Sequence, residues 1–562
     1  MSKPRTTQAT KRKRHPRKRV RNTPTHVINQ ALRPTLAHLA TVDKRLDAGR
    51  RAYNACLHES LARCKAMRAD PAFNAANALP KGPPKSEEST VKNKAFNEVA
   101  RAHGFSSDAL RTYGSSLRKA WVRGHVGAQE IQRLATRAFD AVNRWNLGKG
   151  GKPRFKNASR RLRSLECSDK FGDIQPVLKN GHLVAVRWSK TVIPVEALPC
   201  HPTSRHDREV AAERARLESL IAAQGLIQTR IVYTMVRGRP TLRAQFVVDG
   251  RPPIRHKTGT STISCDVGPS VVSVVAADAD GNPIPEAIGH RVLAEGIKDI
   301  QAELRRLQRQ LERQHRAGPP ECFDKKGRHK LTCVWWKNRS KAAQDTIHKI
   351  AEVHRRIAAT RTTLHGKLVN ELLGLGVNVR AEDLSYVSWQ KMYPRSVRDR
   401  AVGEFMALLF HRAENAGGQT YHYATHTTAL SQTCVCGHRE KKPLSQRWHR
   451  CSNCGREAQR DLFSAFLGLY VSPVVGADST SKDLLDLEGA TAAYAAFAPY
   501  LQEAGGLPRS SGTPKHRGRG RCSKRSAARI TARHKRSSRG ATEVLGSDPV
   551  PEHATIATPV AT

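Results

Sequence analysis

Two sets of residues in this chain have the types and spacing that chemistry needs. The first is a cysteine cluster, Cys434-Val-Cys436-Gly and Cys451-Ser-Asn-Cys454-Gly, with fourteen residues between the pairs. Four thiolates on two knuckles suit tetrahedral zinc, and a glycine after each knuckle lets the backbone turn. The Cys-x-Cys spacing of the first pair is tighter than the usual two-residue gap. His438 or His449 is therefore an alternative ligand, and four unliganded cysteines are the plainer alternative. The second set is acidic: Asp266 in Ser261-Thr-Ile-Ser-Cys-Asp266-Val-Gly268-Pro-Ser270, Glu382 in Val377-Asn-Val-Arg-Ala-Glu382-Asp383, and Asp461 after Arg460. Singly, an aspartate after a strand is most often a turn residue or a helix cap. Together the three carboxylates can share a divalent-metal site, where two Mg²⁺ activate water and stabilise a leaving oxygen.

The flanking elements must bring these residues together. Ser261 to Ser270 and the apolar run Val271 to Ala277 read as a hairpin with Asp266 at its mouth, closed by a turn at Gly281. A helix over 294–316 has Ile297, Ile300, Leu304, Leu307 and Leu311 on one stripe and Arg305, Arg306, Arg309 and Arg313 on the other. A Gly/Pro/Lys-rich loop over 317–333 and a second helix over about 338–373 lead to the strand ending in Glu382-Asp383. A third helix over about 396–416 and a strand from Gln419 to Tyr423 lead to the cysteines. This order of elements is an α/β layout with carboxylates at strand ends. Upstream, 27–69 reads as one long helix and 91–146 as two or three more. Gly148 to Arg154 reads as a basic linker without P-loop spacing. Val177 to Trp188 reads as a hairpin on Asn180-Gly181, 206–223 as a charged helix and 226–249 as strands. The interrupted β set reads as a small barrel.

Charge narrows the partner. The chain has 562 residues, with 97 Lys and Arg against 48 Asp and Glu, a net +49. The stretches 1–22 and 508–540 carry ten and twelve of these cations and no acid, so they read as disordered basic arms. Setting those 22 aside still leaves +27 of the +49, which calls for a polyanion, nucleic acid first. With such a substrate, the acidic trio would hydrolyse phosphodiester bonds. No apolar run reaches the roughly 20 residues of a membrane span, and the N-terminus lacks a signal peptide's apolar region. Twelve cysteines, scattered apart from the cluster, fit a reduced, cytoplasmic protein.

Asp266-Val-Gly268, Glu382-Asp383-Leu384, Ser431-Gln432-Thr433-Cys434, Cys451-Ser-Asn-Cys454-Gly455 and Arg460-Asp461 resemble the RuvC motifs and zinc ribbon of transposon-encoded TnpB and the compact type V CRISPR effectors descended from it. Ile347 to Arg361 is similar to that family's helix between the first two motifs, and Gly151-Lys-Pro-Arg-Phe155 to a phrase in its N-terminal half. The resemblance covers about 260–470. It implies a multidomain α/β protein: a helical recognition lobe (27–147) and a β-barrel wedge domain (148–260) between a basic arm (1–26) and an RNase H-like RuvC domain. That domain would hold motifs I and II in 261–429, a zinc ribbon in 430–457, and motif III with closing helices in 458–504, ahead of a basic tail (505–562). It implies Asp266, Glu382 and Asp461 as Mg²⁺ ligands and catalytic residues, and Cys434, Cys436, Cys451 and Cys454 as ligands of structural Zn²⁺. It also implies guide RNA and target double-stranded DNA as partners, in a prokaryotic cytoplasm, for RNA-guided cleavage in antiviral defence. Phe463 and Ser464 depart from the Asn and small residues that usually follow Arg-Asp. An RNA-guided binder with weak or no cleavage, and a TnpB-like nuclease or transposase, stand as alternatives.

Overall fold

The computed structural model describes residues 24–502 apart from 83–85, 120, 158–160, 169–171, 199–203, 318–321, 325–339, 444–445 and 476–480. The two basic arms and most of the 317–333 loop lie outside the described residues. The chain divides into two compact units, residues 1–257 with 296–364, and residues 258–295 with 365–562.

The first unit opens with β1 (Thr25–Leu32), which overlaps the start of the 27–69 stretch expected to be one helix. Alternate residues His26, Ile28, Gln30 and Leu32 are buried, and the strand pairs antiparallel with β7. Pro34 then stops the strand, and Thr35 caps α1 (Leu36–Ala69) by accepting from the His38 amide. Four helices follow: α2 (Pro71–Ala78), α3 (Glu87–Ala102), α4 (Ser107–Ser116) and α5 (Ala128–Asn146). The short strands β2 (Ser164–Ser168), β3 (Ile174–Lys179), β4 (His182–Trp188) and β5 (Thr191–Pro194) lead to α6 (Arg205–Ala222), then β6 (Leu226–Val236) and β7 (Arg239–Asp249). The expected turn at Asn180-Gly181 is present, both residues with positive φ. The expected barrel is not: one sheet runs β1-β7-β6-β2 and another β3-β4-β5, joined at an edge by the Leu32–Val195 bridge. Among the described residues, no hydrogen-bonded ring closes. One core gathers Leu46 and Leu57 of α1, Ile131 and Leu134 of α5, Trp188 and Phe246. The helices α7 (Ile297–Arg316) and α8 (Lys341–Leu375) complete this unit up to residue 364.

The second unit is built on β8 (Thr262–Val267), β9 (Val271–Ala277), β10 (Gly289–Val292), β11 (Asn378–Asp383) and β12 (Thr420–Ala424), in the order β10-β9-β8-β11-β12. The first three are antiparallel, while β8, β11 and β12 run parallel. On one face Ile263, Cys265 and Val267 pack with the end of α8 and with α11 (Val402–Asn415). The helix expected over 396–416 is broken at Ala401, whose φ of 47° separates α10 (Pro394–Arg400) from α11; α9 (Tyr386–Met392) precedes them. The other face meets α13 (Arg460–Gly468), reached through α12 (Thr425–Thr428) and a two-strand ribbon, β13 (Trp448–Arg450) with β14 (Glu457–Gln459). The hairpin β15 (Val471–Val475) and β16 (Ser481–Leu485), then α14 (Leu487–Leu501), close the unit. No described helix is long and apolar enough to cross a membrane.

Candidate active site

Strand register assembles most of the acidic trio. In the parallel pair β8–β11, Cys265 lies opposite Ala381, so Asp266 and Glu382 stand side by side one step further on. Neighbouring strands are about 4.8 Å apart, and residues in one row share a face. The row extends to Ser273 and His290 on one side of Asp266 and to Tyr423 on the other side of Glu382. Asp461 comes from elsewhere, in the first turn of α13, which packs on that face. Gly468 permits this approach, because a Cβ there would collide with the hydroxyls of Ser264 and Tyr423. All three carboxylates line one cavity of about 290 Å³, with Ser273, Trp389, Arg447, Arg460 and Ser464 among its other walls.

The electrostatics are those of crowded, half-dry acids. Burial first, then the charges of Asp461 and Glu382, raise the Asp266 carboxyl well above the usual carboxylate range. Burial pushes Glu382 up to about 7. Asp461 is held by cations: Arg447 Nη1 donates to its Oδ2 at 3.1 Å, and Arg460 Nε to its Oδ1 at 3.4 Å. Arg460 is itself buried and also donates to the Pro443 carbonyl. Sequence reasoning missed Arg447, Ser273, His290 and Tyr423. Arg447 has no motif around it, but the row partners follow once β8 is aligned with its neighbours. The Ser273 hydroxyl and His290 Nδ1 are 2.9 Å apart. Phe463 turns away from the cleft into the core, stacked on His449 at 4.2 Å. Ser464, one turn from Asp461, lines the cavity.

The four cysteines converge more tightly. Their sulfurs lie within 4.8 Å of one another, the only such group of metal-binding side chains among the described residues; the three carboxylates do not close that far. Cys434 to Cys454 and Cys436 to Cys451 are both 3.6 Å between sulfurs. That is far beyond a disulfide's ~2.05 Å. It is close to the ~3.8 Å edge of a tetrahedron with 2.3 Å zinc–sulfur bonds. Gly437 and Gly455, at φ 82° and 69°, make the turns after each knuckle, so the tight Cys-x-Cys spacing is accommodated. The four-cysteine cluster therefore suits zinc, and neither histidine joins it. His438 Nε2 lies 3.2 Å from the Ser452 hydroxyl. His449 is buried beside Lys442, and burial and that cation lower its pKa to about 4.

Residues 403–467 match the family model described as Cas12f1-like, TNB domain, a span holding the four cysteines and Asp461. No curated protein matches the chain. Among solved structures, a Cas12f1–sgRNA–target DNA complex is similar over 79% of this chain and 98% of its own, at 11% identity and TM-score 0.39. CasPhi-2 (Cas12j) bound to crRNA and phosphorothioate-DNA covers 78% and 90%, at 11% identity and TM-score 0.30. The mini-RNA-guided endonuclease CRISPR-Cas_phi3 covers 78% and 91%, at 9% identity and TM-score 0.31. The family match supports a compact type V CRISPR-Cas effector, the resemblance that the sequence motifs carry.

Proposed function

We propose that this chain is an RNA-guided DNA-binding effector with a RuvC-type endonuclease site. The observation that carries the reading is the row placing Asp266 beside Glu382 on parallel strands, with Asp461 lining the same cavity from α13. Three acids around one cavity, in a chain that keeps +27 without its arms, suit metal-assisted phosphodiester hydrolysis. The sheet order, three antiparallel strands followed by two parallel ones, supports an RNase H-like domain. The domain limits expected above are proposed with it.

Asp266, Glu382 and Asp461 would hold Mg²⁺, which when bound supplies a nucleophilic water and stabilises the leaving oxygen. Burial and mutual repulsion raise the Asp266 carboxyl and burial raises that of Glu382, and bound cations would favour their ionised forms. Cys434, Cys436, Cys451 and Cys454 would hold one structural Zn²⁺, fixing the segment that delivers Arg447 and Asp461. Guide RNA reads sequence by base pairing, and the protein supplies cationic surface for the paired backbones. The arginines Arg305, Arg306, Arg309 and Arg313, exposed on one face of α7 and without an ion pair among the described residues, belong to that surface.

A second reading has its own observation. Both carboxylate oxygens of Asp461 already accept from arginines, which compete with a metal ion. This favours an RNA-guided binder that cuts weakly or not at all. The test is to exchange the guide RNA and measure binding and cleavage of matched and mismatched duplexes in Mg²⁺. Guide-dependent binding with cleavage is expected. Guide-dependent binding without cleavage leaves the second reading, and DNA preference indifferent to the guide overturns both.

A further inference from the structure

The segment following α5 takes no part in the cleft. From Asn146 to Lys156 it carries Lys149, Lys152, Arg154 and Lys156 and no acid. Both ends are tied to α1. Arg68 donates from Nε to Asn146 Oδ1 at 2.7 Å and from Nη2 to its carbonyl at 3.0 Å. At the other end Asn54 grips the Lys156 peptide twice, its Nδ2 donating to the carbonyl at 2.8 Å and its Oδ1 accepting the N–H at 2.9 Å. Asn54 and Arg68 are fourteen residues apart on one helix, so the anchors are spaced along roughly 21 Å of α1. The Lys152 and Lys156 ammonium groups lie over the Trp145 and Tyr53 rings, at 5.9 and 5.4 Å. Arg154 has no ion pair or hydrogen bond among the described residues, and Phe155 beside it is 50% exposed.

A lone exposed apolar side chain is ordinary on a protein surface. Phe155 differs in that the peptide after it is clamped and Arg154 before it has no ion partner among the described residues. We propose that Phe155 is a stacking platform for an unpaired nucleobase, whose flanking phosphates meet Lys152 and Arg154. An aromatic ring accepts any base face, and fixed cations beside it take the adjoining phosphates, the combination that binds single strands without reading sequence. An acidic protein segment would satisfy the cations but leave the ring without a partner. The inference rests on the nucleic-acid reading above and names where one base would sit, in guide RNA or in opened target DNA.

The test compares full-length protein, stripped of copurifying nucleic acid, with its Phe155→Ala and Phe155→Trp forms. The probes are a short oligouridylate and the matching oligothymidylate. Alanine should weaken binding roughly 5- to 100-fold, as loss of one base stack does, and tryptophan should restore it. A larger loss with RNA assigns the base to the guide, and a larger loss with DNA assigns it to the target. Lys152→Gln with Arg154→Gln should instead flatten the salt dependence by about two phosphate contacts. Equal binding by Phe155→Ala and unaltered protein, at equal melting temperature, overturns the inference and leaves the RNA-guided reading standing. A protein that binds neither probe nor guide overturns both.

Discussion

Burial brings two glutamates in this molecule to the same pKa, about 7, in opposite circumstances. Glu130 in the first unit is fully buried and fully used. Its Oε2 accepts the Gly127 amide at 2.7 Å and its Oε1 the Trp188 indole N–H at 2.6 Å, joining the start of α5 to β4. Arg45 lies over the same indole at 5.1 Å. In the second unit Glu382 and Asp266 accept no hydrogen bond among the described residues, and the two share a cavity with Asp461. Glu130 is satisfied by neutral donors and needs nothing more. Asp266 and Glu382 keep their carboxylate lone pairs for something that enters, while Asp461 is already met by two arginines. A displaced pKa therefore does not mark a functional site by itself. Convergent acceptors without partners do.

The strongest way to break this contrast is to remove a cleft acid. Asp266→Ala should lower cleavage of guide-matched DNA in Mg²⁺ by roughly a thousandfold or more, since several kcal/mol of charge stabilisation is lost. Guide and target binding, measured on the same protein, should stay near the unaltered level. Equal cleavage by the variant would show that the row is only structural.

The cysteine cluster tests whether the cleft depends on a neighbouring fixture. Cys454→Ser should lower zinc, measured by metal analysis, from about one per chain and lower the melting temperature, because structural zinc contributes folding energy directly. It should also weaken cleavage, since Arg447, which donates to Asp461, lies between the two knuckles. Full zinc content and unchanged melting would remove this dependence.

The smallest effect separates the two glutamates by pH. The folded pKa of Glu130, about 7, lies above its ordinary 4.5. Its contribution to stability is therefore complete below about 4.5 and is lost as pH rises through 7. Across that window, unfolding in urea should show a loss on the order of 3 kcal/mol attributable to Glu130. Glu130→Gln should remove that slope at a lower plateau, because an amide offers one acceptor oxygen where two donors wait. Magnesium should relieve the part of the pH dependence due to Asp266 and Glu382 and leave the Glu130 part untouched. If magnesium abolishes the whole slope, Glu130 is not its source.

The differences from sequence expectation have physical causes, two of them local and one long-range. The helical spacing of Leu36 and its successors carries the expected helix back to residue 27, over most of β1. The strand shows only in alternation from Thr25 to Leu32 and in Pro34 behind it. The break at Ala401 has no proline or glycine to announce it, since an alanine takes the positive φ. A barrel and two sheets joined at an edge have the same strands; the pairing of their edges distinguishes them, and that pairing is long-range.

The cysteine cluster was legible because its four cysteines fall within about twenty residues, on two turns whose glycines stand in the sequence. The candidate acids were also legible, as carboxylates closing β-rich runs. Their register was not, because Asp266 and Glu382 meet only when β8 and β11 align in parallel across more than a hundred residues. Nor was Arg447, a polar residue in a loop until α13 brings Asp461 against it. Local backbone chemistry leaves its mark in neighbouring residues, so the chain by itself determined the knuckles, most of the helical stretches and which acids close β-rich runs. Which acids share a cavity, which are met by arginine, and which are already satisfied by donors depended on contacts between distant segments, and those the tertiary structure decided.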